Sequence, residues 1–142
     1  VSGRIKHFTS AFGEHVIGEE VEAAMSIALS KHGGVISEFH LAPKVQVSDE
    51  LPFHEWLVEW EEEPADLGAF AMTIDQEMCK QNVYYKDLID GNILQQAQIH
   101  SLPSGTFRRF MESRGKLGGQ NKVPRLSNDR SMADQIIQSK KA

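Results

Sequence analysis

With 142 residues, 40% of them apolar and 25% charged, the chain suits a single globular domain built around one core. No apolar run approaches the roughly 20 residues that a membrane span requires, which points to a cytoplasmic protein. The only cysteine, Cys79, rules out an internal disulfide and a cysteine-based metal site, and its apolar neighbours at helical spacing mark it as core rather than nucleophile. The net charge of −5 is unevenly spread: residues 1–104 carry 6 Lys/Arg against 17 Asp/Glu, whereas 105–142 carry 9 against 3. A basic end on an acidic body suits a phosphate-bearing ligand, an acidic partner surface or a solvated tail, and composition does not choose among them. The chain opens on Val1 and runs straight into Ser2-Gly3-Arg4, so the expectation is that further sequence precedes it.

The first clear helix is Glu19 to His32, where Val21, Ala24, Met25, Ala28 and Leu29 share one face. Glutamates at its start and Lys31 and His32 at its end complement the helix dipole, and Gly33-Gly34 provides the stop. Alternation from Val35 predicts a strand that Pro43 ends. A second strand, Phe53 to Trp60, puts Trp56, Val58 and Trp60 on one face and Glu55, Leu57 and Glu59 on the other. After Glu61-Glu62-Glu63, Pro64 opens a long helix with an inward stripe of Leu67, Phe70, Ala71, Ile74 and Met78. Residues Val83 to Asn92 give no periodic signal beyond the turn at Asp90-Gly91-Asn92. Ile93 to Leu102 reads as a strand with Ile93, Ala97 and Ile99 inward. A short helix begins near Thr106, with Phe107, Phe110 and Met111 apolar, and a last one spans roughly Ser131 to Ser139, with Met132, Ile136 and Ile137 to dock.

This order predicts an α+β fold: a ferredoxin-like split βαβ sheet with helices on one face, plus a C-terminal loop and helix, if His15 to Ile17 supplies the opening strand. Such a fold hosts many functions, so function has to come from particular residues. The six histidines, at positions 7, 15, 32, 40, 54 and 100, lack metal-ligand spacing. Neither a nucleophile elbow nor a Walker-type glycine loop is present, which argues against a self-contained hydrolase or NTPase.

Two segments stand out. Gly3-Arg4-Ile5-Lys6, followed by Phe12-Gly13-Glu14-His15-Val16, resembles the opening of the C-terminal domain of adenylate-forming enzymes. Gly105-Thr106-Phe107 and then Gly118-Gly119-Gln120-Asn121-Lys122-Val123-Pro124-Arg125 are similar to the end of the Gretchen Hagen three enzymes, the auxin-responsive acyl-acid amidosynthetases. The resemblance spans nearly the whole chain. It implies one mobile C-terminal domain over 1–142 of a larger ligase, with 1–14 as the hinge segment and 118–142 as the catalytic-lysine loop and tail helix. It further implies Arg4 and Arg125 as nucleotide contacts, Lys6 as hinge and Lys122 as the catalytic lysine, with no metal ligand on this chain.

On the same resemblance, the cofactor is ATP with Mg2+, bound mainly by an N-terminal adenylation domain in cis. A small carboxylic acid is activated as its adenylate and then joined to an amino acid. A lysine at the carboxylate–phosphate junction suits the first step, because negative charge gathers there in the transition state. Arg125 also suits a second role, as anchor of the loop. The isolated fragment is expected to be inactive. Alternatives are the C-terminal domain of an acyl-CoA ligase, against which the Gln120-x-Lys122-x-Pro124-Arg125 ending argues, or a non-catalytic ferredoxin-like binding module. A nucleic-acid module would need exposed aromatics among its basic residues, but Phe107 and Phe110 have the spacing of buried positions, so no nucleic-acid partner is expected, nor a membrane.

Overall fold

The computed structural model describes residues 8–9, 16–44, 51–113, 123, 125–127 and 130–139. In chain order these form β1 (Phe8–Thr9), β2 (Val16–Ile17), α1 (Gly18–His32), β3 (Val35–Lys44), β4 (Phe53–Glu62), α2 (Leu67–Gln81), α3 (Val83–Asp90), β5 (Gln98–Leu102), α4 (Thr106–Ser113) and α5 (Ser131–Ser139). The main sheet has the order β3-β4-β5, with β3 antiparallel and β5 parallel to the central β4.

Period-two alternation in β4 sorts its side chains to two faces. Trp56, Val58 and Trp60 join Phe39 and Leu41 of β3 against Val21, Ala24, Met25 and Ala28 of α1 and Phe70, Ile74 and Met78 of α2. The Trp60 ring meets Phe70 edge-on at 5.3 Å between centroids, and Phe39 stacks on Trp56 at 6.0 Å. Gly34 holds φ +106 beneath this cluster, where an added Cβ would lie 3.1 Å from the Trp60 ring, so the helix stop is also a point of close packing. The α+β class is as expected, and α1 and α2 lie along one face as a ferredoxin-like arrangement requires.

Several details depart from expectation. Val16–Ile17 does not open the main sheet but pairs antiparallel with Phe8–Thr9. The strands β4 and β5 are direct parallel neighbours joined through α2 and α3. Helices also cover the second face: Leu57 of β4, Ala42 of β3 and Leu102 of β5 pack against Phe107, Phe110 and Met111 of α4 and Ala133 and Ile136 of α5. The strand β3 continues through Pro43, opposite His54, because an edge strand tolerates a residue without an N–H. The α2 helix starts at Leu67, not Pro64, with the Asp66 carboxylate accepting from the Ala69 N–H at 3.1 Å. Ile93 is 51% exposed while Leu94 is buried, since Asn92 adopts a left-handed φ of 59 and breaks the alternation on which the inward reading of Ile93 relied.

The segment without periodic signal is helix α3. Asn82 caps it, its side-chain oxygen accepting from the Tyr85 N–H at 2.9 Å, while its amide donates to Glu20 of α1. Tyr85 donates its buried hydroxyl to Asp75 of α2, and the same carboxylate oxygen accepts from the Ala97 N–H at 3.0 Å. One aspartate therefore ties α2, α3 and the approach to β5.

On the second face, Glu59 serves as the cap of α4. Its two oxygens accept from the N–H groups of Gly105 and Phe107, each at 2.9 Å, which satisfies two donors of the helix start and places negative charge at the positive end of the dipole. Gly105 adopts φ +89, with Arg109 3.0 Å from where a Cβ would project. The Thr106 hydroxyl donates to the Pro103 carbonyl at 2.6 Å.

Two outcomes follow from this packing. Replacing Glu59 with Gln keeps the volume but sets an amide donor against a backbone N–H, so urea denaturation should show a loss of about 1–3 kcal/mol. Burial pushes the Cys79 thiol up to about 11, with the carboxylates of Asp75 and Asp90 adding to it. Near pH 8 its thiolate fraction is about a hundredfold below that of an ordinary thiol, so alkylation by iodoacetamide, followed by mass, should stay slow until the pH approaches 11.

Candidate functional site

The sequence places its candidate chemistry next to Val123 and residues 125–127, and the latter dock across the outer edge of β3. The Leu41 N–H donates to the Arg125 carbonyl at 2.7 Å, and the Ser127 N–H donates to the Leu41 carbonyl at 2.9 Å. Leu41 and Leu126 form a parallel bridge. Leu126 enters the core under α1 and α2, whereas Val123 enters the core under α4 and α5. Within four residues the chain is thus fixed to both faces of the sheet.

Arg125 provides the polar part of this docking. Its Nε donates to Glu22 of α1 at 2.7 Å, and one terminal nitrogen donates to Glu38 of β3. The guanidinium carbon lies 4.4 Å from the centroid of the Phe39 ring, in cation–π range. Charge pairing, ring stacking and strand-edge hydrogen bonding all converge on one residue. Further along, Arg130 donates to Glu55 of β4 at 2.7 Å and to Asp134 of α5 at 3.0 Å, and His100 of β5 meets the other Glu55 oxygen at 3.1 Å. The Ser127 hydroxyl lies 3.1 Å from Nε2 of the buried His40.

A depression of about 240 Å³ adjoins this segment, lined by Ser37, Glu38, Glu59, Phe107, Arg108, Met111 and Val123. A larger groove of about 650 Å³ lies between α2 and α3, lined by Asp75, Gln76, Cys79, Lys80, Val83, Lys86 and Asp90. Among the described residues no group of His, Cys, Asp and Glu could hold a metal ion, and no helix is long and apolar enough to cross a membrane.

Of the residues singled out in the sequence, Arg125 lies at the edge of β3, paired with Glu22 and Glu38. Arg4, Lys6 and Lys122 lie outside the described residues, as do Gly118 to Asn121 and Pro124. The Gly105-Thr106-Phe107 motif forms the start of α4 on the Glu59 carboxylate, close to Val123 across the depression. Sequence reading missed Glu38, Glu55 and Glu59 as organising groups. The available signal was Glu55 and Glu59 flanking Leu57 on one strand face, which reads equally well as a solvated edge.

The C-terminal domain model of the GH3 family matches residues 19–131. No curated protein matches the chain. Among solved structures, it is similar to a GH3.15 acyl acid amido synthetase, with a TM-score of 0.74 and 16% identity, over 94% of this chain and 25% of that one. It is also similar to the AtGH3.15 acyl acid amido synthetase in complex with 2,4-DB, with a TM-score of 0.71 and 14% identity, over 94% of this chain and 26% of that one. The chain thus spans about a quarter of the length of these proteins, and the likeness is one of fold. Since the family model covers most of its residues, from the start of α1 to the start of α5, the chain belongs to the GH3 (Gretchen Hagen three) family as its C-terminal domain.

Proposed function

We propose that this domain works within an ATP-dependent acyl-acid amido synthetase, in which an N-terminal adenylation domain of the same polypeptide holds a small carboxylic acid and Mg-ATP. Lys122 brings its ammonium to the reacting phosphate as the carboxylate displaces pyrophosphate, and an amino acid's amine then displaces AMP to form the amide. Its charge favours the transition state over the ground state, because negative charge concentrates on phosphate oxygens as the new bond forms. Arg4 contacts the nucleotide, and Lys6 is the hinge about which the domain turns between the two steps. Mg2+ belongs with the phosphates and the N-terminal domain.

The observation that supports this reading most is the docking of the residues that follow Lys122. A catalytic group on a mobile domain gains only if the domain presents it rigidly, since small misplacements cost large factors in rate. Val123 and Leu126 are buried on opposite faces of the sheet, and the backbone groups of Arg125 and Ser127 are hydrogen-bonded to Leu41. Arg125, which carries two carboxylates of its own domain, suits loop anchoring more than a nucleotide contact.

The test uses the full-length synthetase. Lys122→Ala should lower pyrophosphate exchange by roughly 10²–10³-fold, in line with the loss of one transition-state charge partner, and leave amide formation from preformed adenylate within about threefold. An equal loss in both half-reactions would rule out the division of labour.

A further inference from the structure

We propose that Glu38, acting through Arg125, is a positioning residue for the adenylation half-reaction; the inference rests on the reading of Lys122 given above. The strand register carries the first step. The pairing of β3 with β4 is irregular between Ile36 and Glu38, and beyond that irregularity Glu38 lies directly opposite Glu59. A bulge of this kind re-aims the side chains that follow it. Two carboxylates facing each other across a ladder repel, so each needs its own compensation. Glu59 has the N–H groups at the start of α4, and Glu38 has the guanidinium of Arg125. The same two acids line the 240 Å³ depression together with Val123.

Shielding decides which of the two Arg125 carboxylates matters more. The Glu38 side chain is 24% exposed and that of Glu22 is 53% exposed, so salt and water weaken the Glu22 pair more. Glu38 also accepts from the Phe39 N–H at 3.2 Å, which holds its carboxylate close to the strand that Arg125 crosses. Removing it leaves Arg125 tied to its more solvated partner, on a helix rather than on the strand. The register of 125–127 along Leu41 then loses its charged clamp, at a residue only three positions from Lys122 in the sequence.

The experiment compares Glu38→Ala, Glu38→Gln and Lys122→Ala in the full-length synthetase. For Glu38→Ala the expected result is a roughly 10–100-fold fall in kcat for pyrophosphate exchange, consistent with displacement of a catalytic group by about an ångström. The KM for ATP should stay within about twofold, and amide formation from preformed adenylate should be unchanged. Glu38→Gln retains an oxygen acceptor for Arg125 and should recover most of the rate. Amide hydrogen exchange supplies a readout independent of turnover: Glu38→Ala should reduce protection at Leu41 and Ser127 and leave α2 as protected as before, which also checks that the variant folds. A raised KM for ATP at full kcat, equal losses in both half-reactions, unchanged kinetics, or a Glu38→Gln variant as impaired as Glu38→Ala would each overturn the proposal. If Lys122→Ala leaves pyrophosphate exchange intact, the reading of Lys122 falls and takes this inference with it. If Lys122→Ala abolishes exchange while Glu38→Ala does not affect it, the inference alone falls.

Discussion

A carboxylate on a central strand buried on both sides has to find a partner, and β4 carries that constraint for the whole domain. Its indole and valine face is dry and builds the core with α1 and α2. The opposite face holds Leu57 between Glu55 and Glu59, so covering it with helices takes two carboxylates out of water. Desolvated carboxylates are tolerated only where charge or several N–H donors meet them. Glu55 is met by Arg130 and His100, and Glu59 by the first turn of α4. Both helices of the second layer are thereby held to the sheet by groups that cannot be left unpaired.

The same logic extends to the outer edge of β3. Arg125 brings positive charge to Glu38 and Glu22, and Leu126 adds apolar burial, so electrostatic and hydrophobic contributions act on neighbouring residues. The basic excess of residues 105–142 is in part the counter-charge of the acidic residues 1–104: two of its arginines, Arg125 and Arg130, are paired with acids of α1, β3 and β4. This internal pairing accounts for some of the charge asymmetry without any external anion.

Much of the first layer was legible in the sequence because local periodicity encodes it. The stripes of α1 and α2 and the alternation of Trp56, Val58 and Trp60 state which face is inward, and burial follows them. Helix α3 was hidden because its aromatic and β-branched residues have weak helical preference, and its capping residue, Asn82, lies just outside the segment. Covering of the second face was hidden for a different reason. It depends on α4 and α5 reaching back to a strand that precedes them by more than forty residues, as the 46- and 48-residue separations of the Glu59 bonds show. The partners of Arg125 lie 103 and 87 residues away, a relation that no local pattern contains. The two family motifs were readable as motifs, but the physical role of Gly105-Thr106-Phe107 as a turn seated on a buried acid emerges only when β4 lies beneath it.

The parallel bridge between Leu41 and Leu126 has a bearing on solubility. An edge strand offers unpaired backbone groups to any other extended chain, and natural sheets guard against such templated growth. Here the short stretch 125–127 takes both backbone groups of Leu41, and two residues further along Pro43 has no N–H to give. The device that seats the loop also blunts the rim of β3 against intermolecular strand addition, so colloidal protection and loop placement depend on the same few atoms.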